Sequence, residues 1–355
     1  MLIIIILTMK VIKKTLPIVF IFILSITTSC TVDIKIKKLN EIAQIKQCYI
    51  FKTKEVLLVD PADIKSNNDS LVFITDSFYR KVYKYNKNNQ TLVSISSIGD
   101  GPGEFISPFS IAIKENSIVV NDWNTNNIQE INTNGSMLRK INVNRAVHGN
   151  RLCFSDSGNL IMLNSGTYNS FYFTDEKNNQ FAKIPVCFTY LGFASTPISY
   201  FLEKDIVYYM NPFEMVINTF DLKTMQEDRI EIKNITKIFN WSKYYDEKIP
   251  VDRAREIVTK EVKIYPIMLL KMIVNGEMYF LVAAKNMFID NKKAIFYIIN
   301  KEGKSVLAFS VDEMIPYDYI KGKLCCFKRN ISGEIDAFYE LEFTSEILNN
   351  ISAKQ

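Results

Sequence analysis

Ile118-Val-Val-Asn-Asp122-Trp-Asn-Thr-Asn-Asn127-Ile-Gln-Glu-Ile131-Asn-Thr-Asn-Gly135-Ser-Met137-Leu-Arg-Lys-Ile141 is the stretch that decides the fold. It holds three short runs, at 118–121, 128–131 and 137–141, the first two dominated by Ile and Val. Two clusters of Asp, Asn, Thr and Gly separate them. Short β-branched runs punctuated by such residues predict antiparallel hairpins, because Asn, Asp and Gly accept the backbone angles that tight turns impose.

Upstream, residues 71–75, 82–85 and 92–96 repeat the same order, with turns at 76–80 and 86–90. Downstream the pattern continues. Apolar runs preceded by a small polar or charged turn open at Leu71, Ile118, Leu160, Ile206, Met278 and Leu324. The steps between them are 47, 42, 46, 72 and 46 residues. No long segment sustains a helical period. Units of about 45 residues with three or four strands suit β-propeller blades. One blade cannot cover both its faces, so six of them predict a closed ring. The strand-like runs 48–51 and 56–59 precede the first unit, and the last unit is short of strands. The N-terminal runs are therefore expected to complete the sixth blade and remove its exposed edge. The predicted fold is all-β: a six-bladed β-propeller closed by N-terminal strand(s).

Gly99-Asp-Gly101-Pro-Gly103-Glu-Phe105-Ile-Ser-Pro108 leads into the 118–131 stretch, where Asp122 and Asn127-Ile-Gln follow. A glycine-rich turn, Phe-x-x-Pro, a strand ending in Asp, then Asn and Ile-Gln resemble the NHL repeat. With the signal described next, the chain resembles the six-bladed propeller lipoproteins of Bacteroides-type bacteria. The motif covers residues 99–131 and is degraded in the other units. The resemblance therefore implies the fold over about 45–345 and leaves activity open. Gly101 and Gly103 permit positive φ in a tight inter-blade turn. Phe105 is expected to plug between blades, and Pro108 to open the next strand. A phosphate-cradling role fails, because no Gly-Lys-Ser/Thr and no helix follow.

The N-terminus reads as an address. Lys10, Lys13 and Lys14 precede an apolar stretch over 16–24, too short to span a bilayer comfortably. Small residues then lead to Cys30, which resembles a lipoprotein cleavage and lipid-attachment site. The expected layout is a signal peptide over 1–29, a tether over 30–46, the propeller over 47–347 and a polar tail over 348–355. Localisation follows as an outer-membrane lipoprotein of the cell envelope, with a periplasm-facing placement favoured over the cell surface. Removing the signal leaves 40 of the 43 Lys+Arg against 38 Asp+Glu, a formal charge of +2. So near-neutral a body implies no nucleic-acid partner.

Chemistry is sparse. His148 is the only histidine, which leaves neither a multi-histidine zinc site nor an independent serine triad. Cys48, Cys153, Cys187, Cys325 and Cys326 form no Cys-x-x-Cys pair and read as small buried hydrophobes. The resemblance includes calcium-dependent lyases and hydrolases with ligands at the central channel. Asp76 and Asp122 end equivalent strands and could converge on such an ion. The matching positions elsewhere are Ser165, Asn211 and Arg329, so turn capping is the better reading. Glu340 and Glu342, two apart on a strand, read as a solvated face. The 72-residue step marks an insertion at about 234–271, with a predicted helix after Pro250. Its Trp241, Tyr244 and Tyr245 are candidates for a recognition surface, packing being the simpler role. Together these predict a non-enzymatic binding or scaffold propeller with no cofactor. Its expected partner is a protein, peptide or glycan of the envelope, and it is membrane-bound through its anchor. A calcium enzyme is the alternative.

Overall fold

The computed structural model describes residues 36–50, 58–59, 61–67, 70–123, 127–141, 151–155, 158, 160–164, 170–174, 179–183, 199–210, 215–233, 235, 264–286, 294–311, 314–329 and 334–354. Six sheets of four or five strands follow one another along the chain. In blade 1, Pro61–Asn67, Leu71–Asp76, Lys81–Asn86 and Thr91–Ser94 pair in chain order. Blade 2 is Pro108–Lys114, Ser117–Asp122, Ile128–Asn132 and Met137–Ile141, also in chain order. Blades 3 to 6 occupy 151–183, 199–231, 264–311 and 314–343. The first strand of each blade touches the first strands of its two neighbours, including blade 6 against blade 1. That is a closed ring around a central channel.

Closure is made by the N-terminus. Ala43–Ile50 runs antiparallel to Ile335–Phe343 as the outermost strand of blade 6. Of the second expected run, Leu58 bridges Ile335. The ordered body begins earlier than the tether over 30–46 allowed. Ile36–Lys38 adds a parallel fifth strand to blade 5, pairing with Ser305–Val311. The short helix Leu39–Ile42 then buries Leu39 and Ile42. The polar tail is corrected too. Ser345–Ser352 is a helix whose N-cap, Thr344, accepts a hydrogen bond from the Ile347 N–H. Ile347 and Ile351, one turn apart, are buried in the cluster of blades 5 and 6.

The predicted helix of the insertion, with Trp241, Tyr244 and Tyr245, lies outside the described residues. Its C-terminal limit moves. Ile264–Val274 is the first strand of blade 5, so the excursion ends before residue 264 rather than at 271.

Apolar side chains fill the wedges between blades. Phe105 is fully buried with Phe73, Val82, Ile111, Val120 and Ile131, between blades 1 and 2. Pro108 opens the first strand of blade 2, as its missing N–H favours. Gly103 adopts φ +74°, and a Cβ there would lie 2.7 Å from the Gly135 carbonyl oxygen. Gln129 locks this loop. Its Oε1 accepts from the Gly103 N–H at 2.7 Å, and its Nε2 donates to the Gly101 and Glu104 carbonyls. The Gln129 of the Asn127-Ile-Gln pattern is thus a clamp on the preceding glycine turn.

Candidate functional site

The first strand of each blade presents a free edge to the channel, and unpaired edge N–H and C=O groups need partners. Neighbouring blades supply them. On blade 1, the Asp63 carboxylate accepts from the Ile111 N–H at 3.0 Å and the Ser110 hydroxyl at 3.1 Å, both on blade 2. It also accepts from its own neighbour, the Ile64 N–H, at 3.0 Å. Ser110 in turn accepts from the Leu152 N–H of blade 3 at 2.9 Å. On blade 4, the Ser199 hydroxyl accepts from the Leu269 N–H of blade 5 at 2.7 Å and donates to its carbonyl at 3.1 Å. A polar side chain on one innermost strand thus satisfies the edge of the next. Asp63 and Ser110 are buried.

These strands enclose a cavity of about 420 Å³ that reaches all six blades. Apolar side chains such as Ile64, Leu152, Phe154, Phe201 and Ile315 line it, together with nearly as much polar surface. The polar side chains in the wall are Asp63, Lys65, Ser66, Cys153, Ser199, Tyr200 and Tyr317. The Ser66 hydroxyl and the Tyr317 phenol lie 3.4 Å apart across the blade 6–blade 1 junction. Burial pushes the Cys153 thiol up to about 12, so it stays protonated at neutral pH and is a poor nucleophile. Burial also pushes the Tyr317 phenol well above its ordinary value. The volume falls in the range of small-molecule pockets, which combine apolar walls with a few placed polar groups.

The carboxylates that the sequence offered to calcium serve the loops. Asp76 accepts from the Val59 and Tyr79 N–H groups, both at 2.9 Å. Asp122 accepts from the Ile106 N–H at 3.1 Å, the Ser107 N–H at 3.0 Å and the Asn127 side-chain amide at 3.3 Å. Burial raises the Asp122 carboxyl above its ordinary range, and these hydrogen bonds work against that rise. Both Asp residues are caps, and neither lines the channel. Among the described residues, no group of three or more His, Cys, Asp or Glu is placed to hold a metal ion. Cys30, His148, Ser165, Cys187 and Asn211 lie outside the described residues.

Glu340 corrects the reading of a solvated face. It is 5% exposed and pairs with Lys87 of blade 1 at 2.7 Å and with Lys323 at 2.8 Å. Burial alone would raise its carboxyl, but the two lysines outweigh that and hold it below its ordinary range. Glu342 lies at the surface and pairs with Lys46 at 2.8 Å. The channel residues Asp63, Ser110 and Ser199 escaped the sequence reading because they lie on first strands, ahead of where the repeat units were drawn. A lone polar residue beside apolar neighbours was the available signal.

Comparison with known proteins agrees with this architecture. The sequence model of a family described as a 6-bladed β-propeller, DUF5128, matches residues 25–315. A duf4221-family protein from Bacteroides vulgatus superposes with a TM-score of 0.60 at 10% identity, over 85% of this chain and 98% of that one. A Bacteroides fragilis protein whose name marks it as exported gives 0.58 at 12% identity, over 88% and 98%. Virginiamycin B lyase from Staphylococcus aureus gives 0.51 at 10% identity, over 84% and 99%. No curated protein sequence matches the chain. At such identities the likeness concerns the fold. No helix among the described residues is long and apolar enough to cross a membrane.

Proposed function

The chain belongs to the DUF5128 family of 6-bladed β-propellers, and on that premise we propose that it is an exported envelope protein that binds a ligand in its central channel without transforming it. One observation carries the reading: the channel offers a cavity of about 420 Å³ whose walls mix apolar side chains with nearly as much polar surface, and the carboxylate in that wall is spent on structure. A general base or acid needs a carboxyl free to exchange a proton with substrate. Asp63 instead holds three donors, two of them from the adjacent blade. The Cys153 thiol is similarly unsuited to attack. Binding of a small amphipathic molecule, or of a side chain from an envelope protein, peptide or glycan partner, uses what remains.

The finer placement is part of the same proposal. Lysines 10, 13 and 14, the short apolar stretch and Cys30 support export followed by lipid attachment at Cys30. The protein is then anchored to the outer membrane, not threaded through it. Palmitate labelling and membrane fractionation of the full chain and of Cys30→Ala test this; an equally labelled variant refutes the anchor.

Binding is tested with a photo-crosslinking residue at Ile315, which lines the cavity and is 38% exposed. Illumination of intact envelopes should yield a discrete adduct that the same probe at Leu138, on the outermost strand of blade 2, does not. Identical or absent adducts overturn the reading. A melting rise of several degrees with calcium, reversed by chelator and accompanied by stoichiometric bound metal, favours the calcium-dependent lyase or hydrolase instead.

A further inference from the structure

We infer that the channel takes an amphipathic carboxylate, one negative head on an extended apolar body, with the Lys65 ammonium as the group that receives the head. This rests on the channel-binding reading and specifies the ligand class.

Lys65 sits on the first strand of blade 1 and lines the cavity half-buried. Among the described residues, no hydrogen bond or ion pair occupies its ammonium, whereas the buried Lys87 is paired with Glu340. Its charge also acts on Asp318 of blade 6 and on Cys153 of blade 3, against the rise that burial imposes on each. Asp63 lines the same cavity, but its oxygens are taken by three donors, so the Lys65 N–H groups are left for the oxygens of a ligand.

The nearby acids do not fill the role. Asp63 is committed to Ile64, Ser110 and Ile111. Asp318 accepts from the Tyr319 N–H at 2.8 Å and does not line the cavity. Burial raises its carboxyl, and the charge of Lys65 works against that rise. A carboxylate adds one negative charge to this wall and a phosphate dianion adds two, so beside Asp63 the carboxylate is the less costly guest. The body of the ligand is set by the walls. Cavity positions 61–66 on blade 1 span six residues, roughly 20 Å at about 3.3 Å each. Aliphatic and aromatic side chains line that length, which suits an acyl chain or a slender aryl-alkyl group.

The test titrates the full chain calorimetrically with decanoate and with decyltrimethylammonium, which share an apolar chain and differ in the sign of the head. One decanoate should bind per chain, with the cation at least tenfold weaker. Lys65→Met keeps the stem and removes the charge, so decanoate should weaken at least tenfold while the melting temperature stays within a few degrees. Lys65→Arg should restore most of the affinity. Equal decanoate binding by wild type and Lys65→Met, equal binding of both head groups, or no decanoate binding by the folded wild type each overturns the inference. If decanoate fails while the Ile315 probe still captures an envelope ligand, the ligand class falls and the binding reading stands. If both fail, both fall.

Discussion

The ring's last joint is held by a buried ion pair, and deleting one of its partners should cost several kcal/mol. Glu340 lies on the third strand of blade 6, and Lys87 in the turn after the third strand of blade 1. Their side chains are 7% and 3% exposed, and Lys323 adds a second cation at 2.8 Å. Breaking a buried pair by deleting one partner typically costs about 3–5 kcal/mol, because the other charge is left uncompensated. Glu340→Leu should therefore lose about 3–5 kcal/mol. At roughly 2 °C per kcal/mol, the low end for large domains, that is a melting drop of about 6–10 °C. Glu340→Gln keeps an acceptor for Lys87 and should lose less. The double variant Lys87→Met/Glu340→Leu removes both charges and should recover much of the loss, since apolar replacement of a buried pair is often neutral. The sign with pH follows from the depressed carboxyl of Glu340. Its contribution is fully present above the unfolded carboxyl value of about 4.3 and disappears as pH falls through the lower folded value. Circular-dichroism melts of the four proteins between pH 3 and pH 8 measure both effects. A Glu340→Leu melt within 1 °C of wild type at pH 7, or a gap that does not narrow below pH 4, refutes the reasoning.

Gly135→Ala should be far worse than Gly276→Ala, although both have positive φ, +93° and +83°. At Gly135 a Cβ would lie 1.8 Å from the Ile95 carbonyl oxygen, whereas at Gly276 nothing stands within 4 Å. The second change should cost about 1–2 kcal/mol of left-handed strain and the first several-fold more, read by urea unfolding; equal costs would show that the blade 1–blade 2 contact is not tight. Thr344→Ala removes the N-cap of the C-terminal helix and should destabilise by about 0.5–2 kcal/mol, with Thr344→Ser close to wild type. Gln129→Leu strips the clamp from the glycine turn and leaves the buried Gly103 N–H without its acceptor, so it should cost about 1–3 kcal/mol in the same assay. No loss from Gln129→Leu would mean the turn holds its shape unaided.

What could be read from residues alone was whatever a repeat displays locally. The spacing from Leu71 to Leu324, the turn clusters after Asp76 and Asp122, and the Phe105 and Pro108 positions each follow from the chain's own chemistry. Glu340 shows where this stops. Tyr339-Glu-Leu-Glu-Phe343 alternates as a half-solvated strand should, and in an open sheet Glu340 and Glu342 would share one wet face. In a ring, both faces of every blade meet a neighbour, so alternation no longer separates inside from outside. Glu340 meets the blade 1 turn carrying Lys87, 253 residues away in sequence, whereas Glu342 escapes to solvent beside Lys46. The same reasoning covers Ser345–Ser352. Two asparagines give it weak helical preference, and burial of Ile347 and Ile351 against blades 5 and 6 decides the matter. It also covers the channel. Asp63 and Lys65 both line the cavity from one strand of blade 1, yet only the Asp63 side chain is hydrogen-bonded by blade 2 among the described residues. The position that a ligand would read is therefore set by which acid the adjacent blade has already claimed.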